Sequence, residues 1–312
     1  MAIPVWCENA AWMRGDNECE TGWPITAKRG TDMEAPLDGL DGVDDLRADR
    51  RTGRTRRLLM GASLLAGCCT AGAAAAFLSE YGIEGMHVVS TPASEVRATV
   101  SPDGRWIVWG SRDREGGAGG GDLWRAELID GRWQDPQPLS LNSPGEDLDP
   151  VFAADGRWLY FASDRKGGAG GLDLYRAPVG ADGSVGPQER LPGPPNTRGN
   201  ESSPVPTQDG RHLLFASDAP GGPGGLDLFV SQWRDGEWGE PRALEGINTA
   251  ADEMEATWLG NGTGIVFTRS SADGQAMRLQ LARCQAGGFV EAGVLELSFN
   301  TPEDRTRGPG ID

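Results

Sequence analysis

Two kinds of side chain in this sequence could do chemistry: carboxylates recurring beside glycine-rich loops, and serines followed by aspartate. Asp113, Asp164 and Asp218 precede the loops GGAGGGD, GGAGGLD and GGPGGLD, which close on Asp122, Asp173 and Asp227. A second group, Glu146, Asp147, Asp149, Glu201, Asp252 and Glu253, lies in the segments NSPGEDLDP, NTRGNESSP and NTAADEMEA. Carboxylates gathered on one surface could hold a divalent cation such as Ca2+, since hard cations take several oxygen ligands. The same aspartates could instead accept backbone N–H bonds at the two ends of each loop and hold a glycine hairpin in place. The second reading is preferred, so no cofactor or metal is expected. Two carboxylates at fixed separation would also suit glycoside hydrolysis. Most of the acids recur in step, whereas catalytic acids should be peculiar to one place in the chain; Glu255 is such an outlier, and it stands alone. Ser163 and Ser217 would need an adjacent base, yet the chain holds only His87 and His212 and has no GxSxG motif. No catalytic residue is therefore expected.

The elements that position these residues repeat. Asp/Asn-Gly pairs fall at Asp103-Gly104, Asp155-Gly156, Asp209-Gly210 and Asn261-Gly262, at spacings of 52, 54 and 52 residues. Such pairs between apolar runs signal β-hairpins, because glycine accepts the positive φ of the turn. Second strands follow at 106–109, 158–161, 212–215 and 264–267, and the glycine-rich loop comes next in the first three copies. Further turns lie at Asp130-Gly131, Asp182-Gly183, Asp235-Gly236 and Gly287-Gly288. Fourth strands are expected to end at Asn142, Asn196, Asn248 and Asn300, each followed by Ser or Thr. Four antiparallel strands per roughly fifty residues, repeated, mark β-propeller blades. In such a blade the loop between the second and third strands shares a face with the connection to the next blade. All twelve acids above would then meet on one binding face.

The run of an acidic residue, Pro, an apolar strand, Asp-Gly-Arg, a second apolar strand, Ser-Asp, a glycine-rich loop and Asp-Leu-Tyr resembles the WD40-like PD40 repeat of TolB-like propellers. The resemblance covers residues 95–300 and implies an all-β fold with a protein or peptide partner in the cell envelope. Repeats fall at about 95–142, 143–196, 197–248 and 249–300 within a propeller region 95–312. Four blades are expected. An incomplete fifth is an alternative: residues 86–89 align with an outer strand, and residues 305–311 fall where a fifth inner strand would begin.

Residues 1–46 carry no periodicity and are expected to be disordered or to precede the true start. Residues 47–78 read as an address: six arginines between 47 and 57, an apolar stretch at 58–66, and Leu65-Ala66-Gly67-Cys68, which resembles a bacterial lipoprotein signal with Cys68 as the lipidated residue. Cleavage after Ala73 and retention as a membrane anchor are the alternatives. Each reading places the propeller outside the cytoplasm, most simply on the periplasmic side of a bacterial membrane and held by lipid, with residues 79–94 as linker and spare strand. In a chain cleaved at Cys68, Cys284 is the one cysteine of the propeller region, which rules out a disulfide within it.

Formal charge is −17. That excess would repel polyphosphate, so a nucleic-acid partner is not expected. Aromatic residues of the second strands are expected in the core, while Trp133 and Trp238, beside the outer turns, could stack on a sugar. The chain thus reads as a non-catalytic extracytoplasmic binding scaffold; the alternative is a propeller glycosidase or glycan-binding protein.

Overall fold

Each second strand of the repeat is an unbroken apolar run, and such a strand must be covered on both faces. The computed structural model describes residues 88–285, 288–303 and 305–309 and meets that demand by stacking four antiparallel sheets radially. The expected leader and Cys68 lie outside the described residues. Among the described residues no helix is long and apolar enough to cross a membrane.

The first sheet comprises β1 (Ser94–Val100), β2 (Trp106–Arg112), β3 (Gly121–Ile129) and β4 (Arg132–Pro138), hydrogen-bonded in that order. The second is β5 (Asp147–Phe152), β6 (Trp158–Ser163), β7 (Asp173–Pro178) and β8 (Glu189–Arg190). The third holds β9 (Glu201–Pro206), β10 (His212–Ser217) and β11 (Asp227–Arg234), and two short pieces, β12 (Glu237–Trp238) and β13 (Arg242–Ala243), both pair with β11. The fourth is β14 (Glu253–Leu259), β15 (Gly264–Ser270), β16 (Met277–Gln285) and β17 (Gly288–Val294). These are the four blades of a β-propeller, with β1, β5, β9 and β14 innermost and packed in succession.

The two-residue period of a strand distributes the core between neighbours. Leu159 and Phe161 of β6 pack with Val108 and Leu123 of the first blade, while Tyr160 and Ala162 pack with Leu213 and Phe215 of the third. Leu214 and Ala216 of β10 turn the other way, onto Ile265 and Phe267 of the fourth. On the far side of the first blade, Ile107, Trp109 and Trp124 are covered in part by Val88 and Val89, the segment expected as a spare strand. The turns follow the sequence: Gly104, Gly156, Gly210 and Gly262 have φ of 72, 68, 67 and 83°.

Fourth strands end earlier than expected, at Pro138, Arg190, Ala243 and Val294. The asparagines serve another purpose. Asn142 accepts the Leu123 N–H and donates to the Leu123 carbonyl, both at 3.0 Å. Asn196 clamps Leu174, Asn248 clamps Leu228 and Asn300 clamps Leu279 in the same way. A side-chain amide carries one donor and one acceptor with the geometry of a peptide group, so each asparagine stands in for a missing residue of the outer strand.

After the fourth blade, Arg305 bridges Met277 in parallel, as Glu146 bridges Gly121 in the first, and the Thr306 N–H donates to the Met277 carbonyl at 3.0 Å. Arg305 stands 52 residues after Glu253. The segment 305–309 therefore sits in the place of a fifth inner strand.

Candidate functional site

The acids at the start of β5, β9 and β14 are buried, and that of β1 is half-buried. Asp147, Glu201 and Glu253 are fully enclosed, and Glu95 holds the same position in β1. Each accepts the backbone N–H four residues earlier: Ser143 to Asp147 at 2.5 Å, Thr197 to Glu201 at 2.9 Å, Thr249 to Glu253 at 2.8 Å and Thr91 to Glu95 at 3.1 Å. A buried carboxylate then needs a cation or further donors. Arg165 reaches Asp147 at 2.5 Å and Arg269 reaches Glu253 at 2.6 Å, and the same arginines donate to the Leu141 and Ile247 carbonyls. In the third blade Ala219 occupies the place of Arg165, and the Ser217 hydroxyl donates to Glu201 instead, at 2.9 Å. Burial consequently pushes the Glu201 carboxyl up, against the lowering by its Thr197 and Ser217 bonds.

The loop-closing aspartates Asp122, Asp173 and Asp227 are likewise buried. Asp122 accepts the Ala118 N–H at 3.0 Å, Asp173 that of Ala169 at 2.9 Å, and Asp227 that of Gly224 at 3.1 Å. A Cβ at Gly168 would lie 2.0 Å from Oδ2 of Asp173, and one at Gly222 2.0 Å from that of Asp227, so these positions take glycine because the carboxylate comes so close. Each loop then rests on the connection to the next blade: the Gly120 N–H bonds to the Gly145 carbonyl at 3.0 Å and the Gly171 N–H to that of Gly199 at 2.9 Å. Leu226 donates to Asp252 at 3.0 Å. Loops and connections therefore share one end of the ring.

Asp164 and Asp218 stay exposed while accepting the Glu146 and Asn200 N–H groups, each at 2.7 Å. Asp113 is also exposed, but it lies one position further along than Asp164: Ser111 pairs with Glu95 as Ser163 pairs with Asp147, so Arg112 is the counterpart of Asp164. Arg112 pairs with Glu146 at 2.8 Å. Of the twelve acids assigned to the face, three are exposed, Glu146, Asp149 and Asp252 are half-buried, and six lie beneath it holding backbone. Among the described residues no three His, Cys, Asp or Glu side chains are grouped as a metal ion would require.

One further column lies at the axis. Arg97, Asp149, Ser203 and Glu255 recur at 52, 54 and 52 residues and all take left-handed φ, of 34, 55, 53 and 48°. Each sits where the innermost strand bulges against its neighbour. A bulge re-aims the side chain, and a non-glycine residue holds this conformation at a cost of about 1–2 kcal/mol. Ser203 donates from its N–H and its hydroxyl to Oδ2 of Asp149, at 3.0 and 2.8 Å. Glu255 faces Arg97, Asp149, Arg307 and the Gly308 N–H; burial raises its pKa, and of these neighbours Arg97 lowers it most. Arg307 lies 3.9 Å from Oε1 of Glu255. Oε2 of Glu255 and Nη1 of Arg97 are buried without a hydrogen-bond partner.

Sequence reasoning singled out Glu255 as an outlier among the recurring acids and assigned Asp149 to the loop face, but passed over Arg97, Ser203 and Arg307. Applying the blade register to every column would have found them, since Arg, Asp, Ser and Glu differ in charge where the neighbouring columns repeat. The aromatics behave as core. Trp238 is fully buried, edge-on to Trp233 with centroids 5.1 Å apart, and offers no sugar platform; Trp133 packs against the first blade's outer cluster. His212 is buried in β10, and burial lowers its pKa. Cys284 is disulfide-bonded, and the other four cysteines all precede residue 88, outside the described residues.

No family model matches this chain, and no curated protein does. Solved structures similar to it include TolB from Acinetobacter baumannii, with TM-score 0.49 and 15% identity over 68% of this chain and 47% of that one. The periplasmic gluconolactonase PpgL of Pseudomonas aeruginosa has TM-score 0.43 and 17% identity over 68% of this chain and 74% of that one. A puromycin hydrolase has TM-score 0.43 and 21% identity over 65% of this chain and 29% of that one. The chain spans about half the length of that TolB and under a third of the hydrolase. No activity passes from these proteins to this one.

Proposed function

We propose that the chain is a non-catalytic, extracytoplasmic propeller, held to the periplasmic side of a bacterial membrane through lipid on Cys68, that binds an envelope protein or a peptide from one. The observation that carries the reading is the latching of loops to inter-blade connections at one end of the ring. Rigid loops on a fixed scaffold lose little entropy on binding, which suits recognition. The exposed Asp113, Asp164 and Asp218 give that end three carboxylates, and Lys166 and Arg198 give it cations, so a partner of mixed charge fits. The leader-like residues 47–68 and the PD40 resemblance support the location. The test is crosslinking of the tagged full chain in intact envelopes. A specific partner should be captured by wild type and lost when Asp113, Asp164 and Asp218 are replaced together by lysine; capture indifferent to that change refutes the assignment of the face.

A glycosidase is the second reading, favoured by one observation: Asp149 and Glu255, on bulges of two innermost strands, lie near enough for the Asp149 charge to act on the Glu255 carboxyl. It requires turnover of a glycoside that Glu255→Gln abolishes without lowering the melting temperature.

A further inference from the structure

We infer that the third glycine-rich loop, residues 218–227, is a proton-tightened latch: it holds to the connection before the fourth blade while the Asp227 carboxyl is neutral and loosens when that carboxyl ionises. The inference concerns the loop itself and holds whether or not the loop face takes a protein. It starts from one difference between the three loops. Ala118 and Ala169 give their N–H groups to Oδ1 of Asp122 and Asp173, each at 3.0 Å, and the next residue, Gly119 or Gly170, donates to Oδ2. The third loop has Pro223 in the place of those alanines. Proline has no N–H to give. Among the described residues Asp227 is left with the Gly224 N–H alone, on Oδ2 at 3.1 Å, and its Oδ1 is buried without a hydrogen-bond partner.

The charges around Asp227 are of its own sign. Glu253 and Asp252, in the connection on which the loop rests, both act on it, and Glu201 stands in the same row of the third sheet, since the two acids pair with Ser217 from either side. Asp218, at the loop's other end, is engaged by Asn200. Arg269 is committed to Glu253 and Glu291. Ala219 holds the place of Arg165, which in the second blade serves Asp147 of the matching row. Burial pushes the Asp227 carboxyl up, the Gly224 bond pulls it back in part, and Glu253 and Asp252 push it further. A buried carboxylate short of donors is relieved by a proton or by water. Water would enter through the loop, because opening a surface loop costs far less than unfolding the domain. What opening breaks is the hold on the connection: Leu226 donates to Asp252 at 3.0 Å and accepts the Glu253 N–H at 2.8 Å, and a Cβ on Gly224 would fall 2.2 Å from the Ala251 carbonyl oxygen. The closed-loop pKa lies above the ordinary one that the opened loop restores. The stabilisation is therefore fully present below the ordinary pKa and is lost as pH rises through the raised one.

The experiment is native-state hydrogen exchange of the detergent-solubilised full chain between about pH 5 and pH 8, above the ordinary carboxylate range, with the intrinsic rate at each pH divided out. It compares the Gly224 N–H with the Gly119 N–H, which makes the matching bond to Asp122 at 3.2 Å in the first loop. In wild type the protection of Gly224 relative to Gly119 should fall by about tenfold or more across that range, the equivalent of one pKa unit. Pro223→Ala, which restores the N–H, and Asp227→Asn, which has no carboxyl to titrate, should each leave the ratio constant with pH. Should Asp227→Asn not fold, Pro223→Ala decides alone, since it adds a donor and removes none. A wild-type ratio that does not change with pH, or a slope that survives in either folded variant, would overturn the proposal.

Discussion

Replacing Arg165 by leucine should destabilise the propeller more than any exposed substitution. Arg165 donates to Asp147 at 2.5 Å, to the Leu141 carbonyl at 3.2 Å and to the Ser163 hydroxyl at 2.9 Å. Its guanidinium also lies over Phe161 and Tyr175, 5.1 and 4.9 Å from the ring centroids. Leucine keeps some contact with those rings but leaves the fully buried Asp147 with the Ser143 N–H alone. Breaking a buried pair from one side costs about 3–5 kcal/mol, because the surviving charge is uncompensated. For a domain of this size each kcal/mol moves the melting temperature by about 2–4 °C, so a fall of about 6–20 °C is expected. Melting of the full chain, followed by circular dichroism at low and at high salt, measures it. The drop should persist in salt, since screening acts weakly on a buried pair. The double variant Arg165→Leu with Asp147→Leu should recover part of the loss, as apolar replacement of a whole buried pair is often neutral. A fall below about 2 °C, or one that salt erases, would refute the view that this pair pins the second blade to the connection before it.

Other outcomes follow from the same geometry. Asn248→Leu should lower stability by about 1–3 kcal/mol, because the Leu228 N–H loses its partner while the carbonyl keeps the Leu244 N–H, and native-state hydrogen exchange should show faster exchange at Leu228. Gly170→Ala should leave the core intact yet lift the loop, since its Cβ would fall 2.5 Å from the Arg198 carbonyl carbon and from the Gly199 oxygen; limited proteolysis within residues 164–173 reads it. Glu201 gives a pH signature. Burial raises its folded pKa above the unfolded value, so its contribution to stability is fully present below the unfolded pKa and is lost as pH rises through the folded one. Relative to wild type, Glu201→Gln should therefore gain in melting temperature between pH 4 and pH 8, and a constant difference over that range would show that burial does not govern this carboxyl.

Blade count and strand order were legible because a propeller repeats one backbone problem at a fixed interval. The glycines of the hairpin turns, the loop-closing aspartates and the Asn-Ser/Thr pairs recur at 51 to 54 residues because each meets the same local need in every blade. The purpose of the asparagines was not legible. An Asn at the end of an apolar run reads as a strand terminus, whereas its amide acts across the blade on a leucine 19 to 22 residues earlier. Burial of the face acids was hidden for a related reason. Sequence shows that Asp147, Glu201 and Glu253 recur, but whether a recurring carboxylate faces water or a backbone N–H is decided by the hook of the chain between Asn and acid, which pattern does not reveal. Asp113 was misaligned because the Ser-Arg-Asp-Arg run of the first blade carries its aspartate one place later than Ser163-Asp164.

The axial column follows a different logic from those repeats. Side chains that meet near a common axis cannot all carry the same charge, because like charges at close range repel strongly away from bulk water. Divergence at positions 97, 149, 203 and 255 is therefore required by the architecture and does not by itself argue for a ligand. A column selected only to avoid repulsion would still pair its charges internally, and one half of this one does so: Ser203 satisfies Asp149 from two donors. The other half does so as well: Glu255 has Arg97 and Arg307 beside it, and both cations lower its pKa against the rise from burial. Positions 97, 149, 203, 255 and 307 thus carry a cation, an anion, a hydroxyl, an anion and a cation in turn, so that each carboxylate of the column has a donor or a cation beside it.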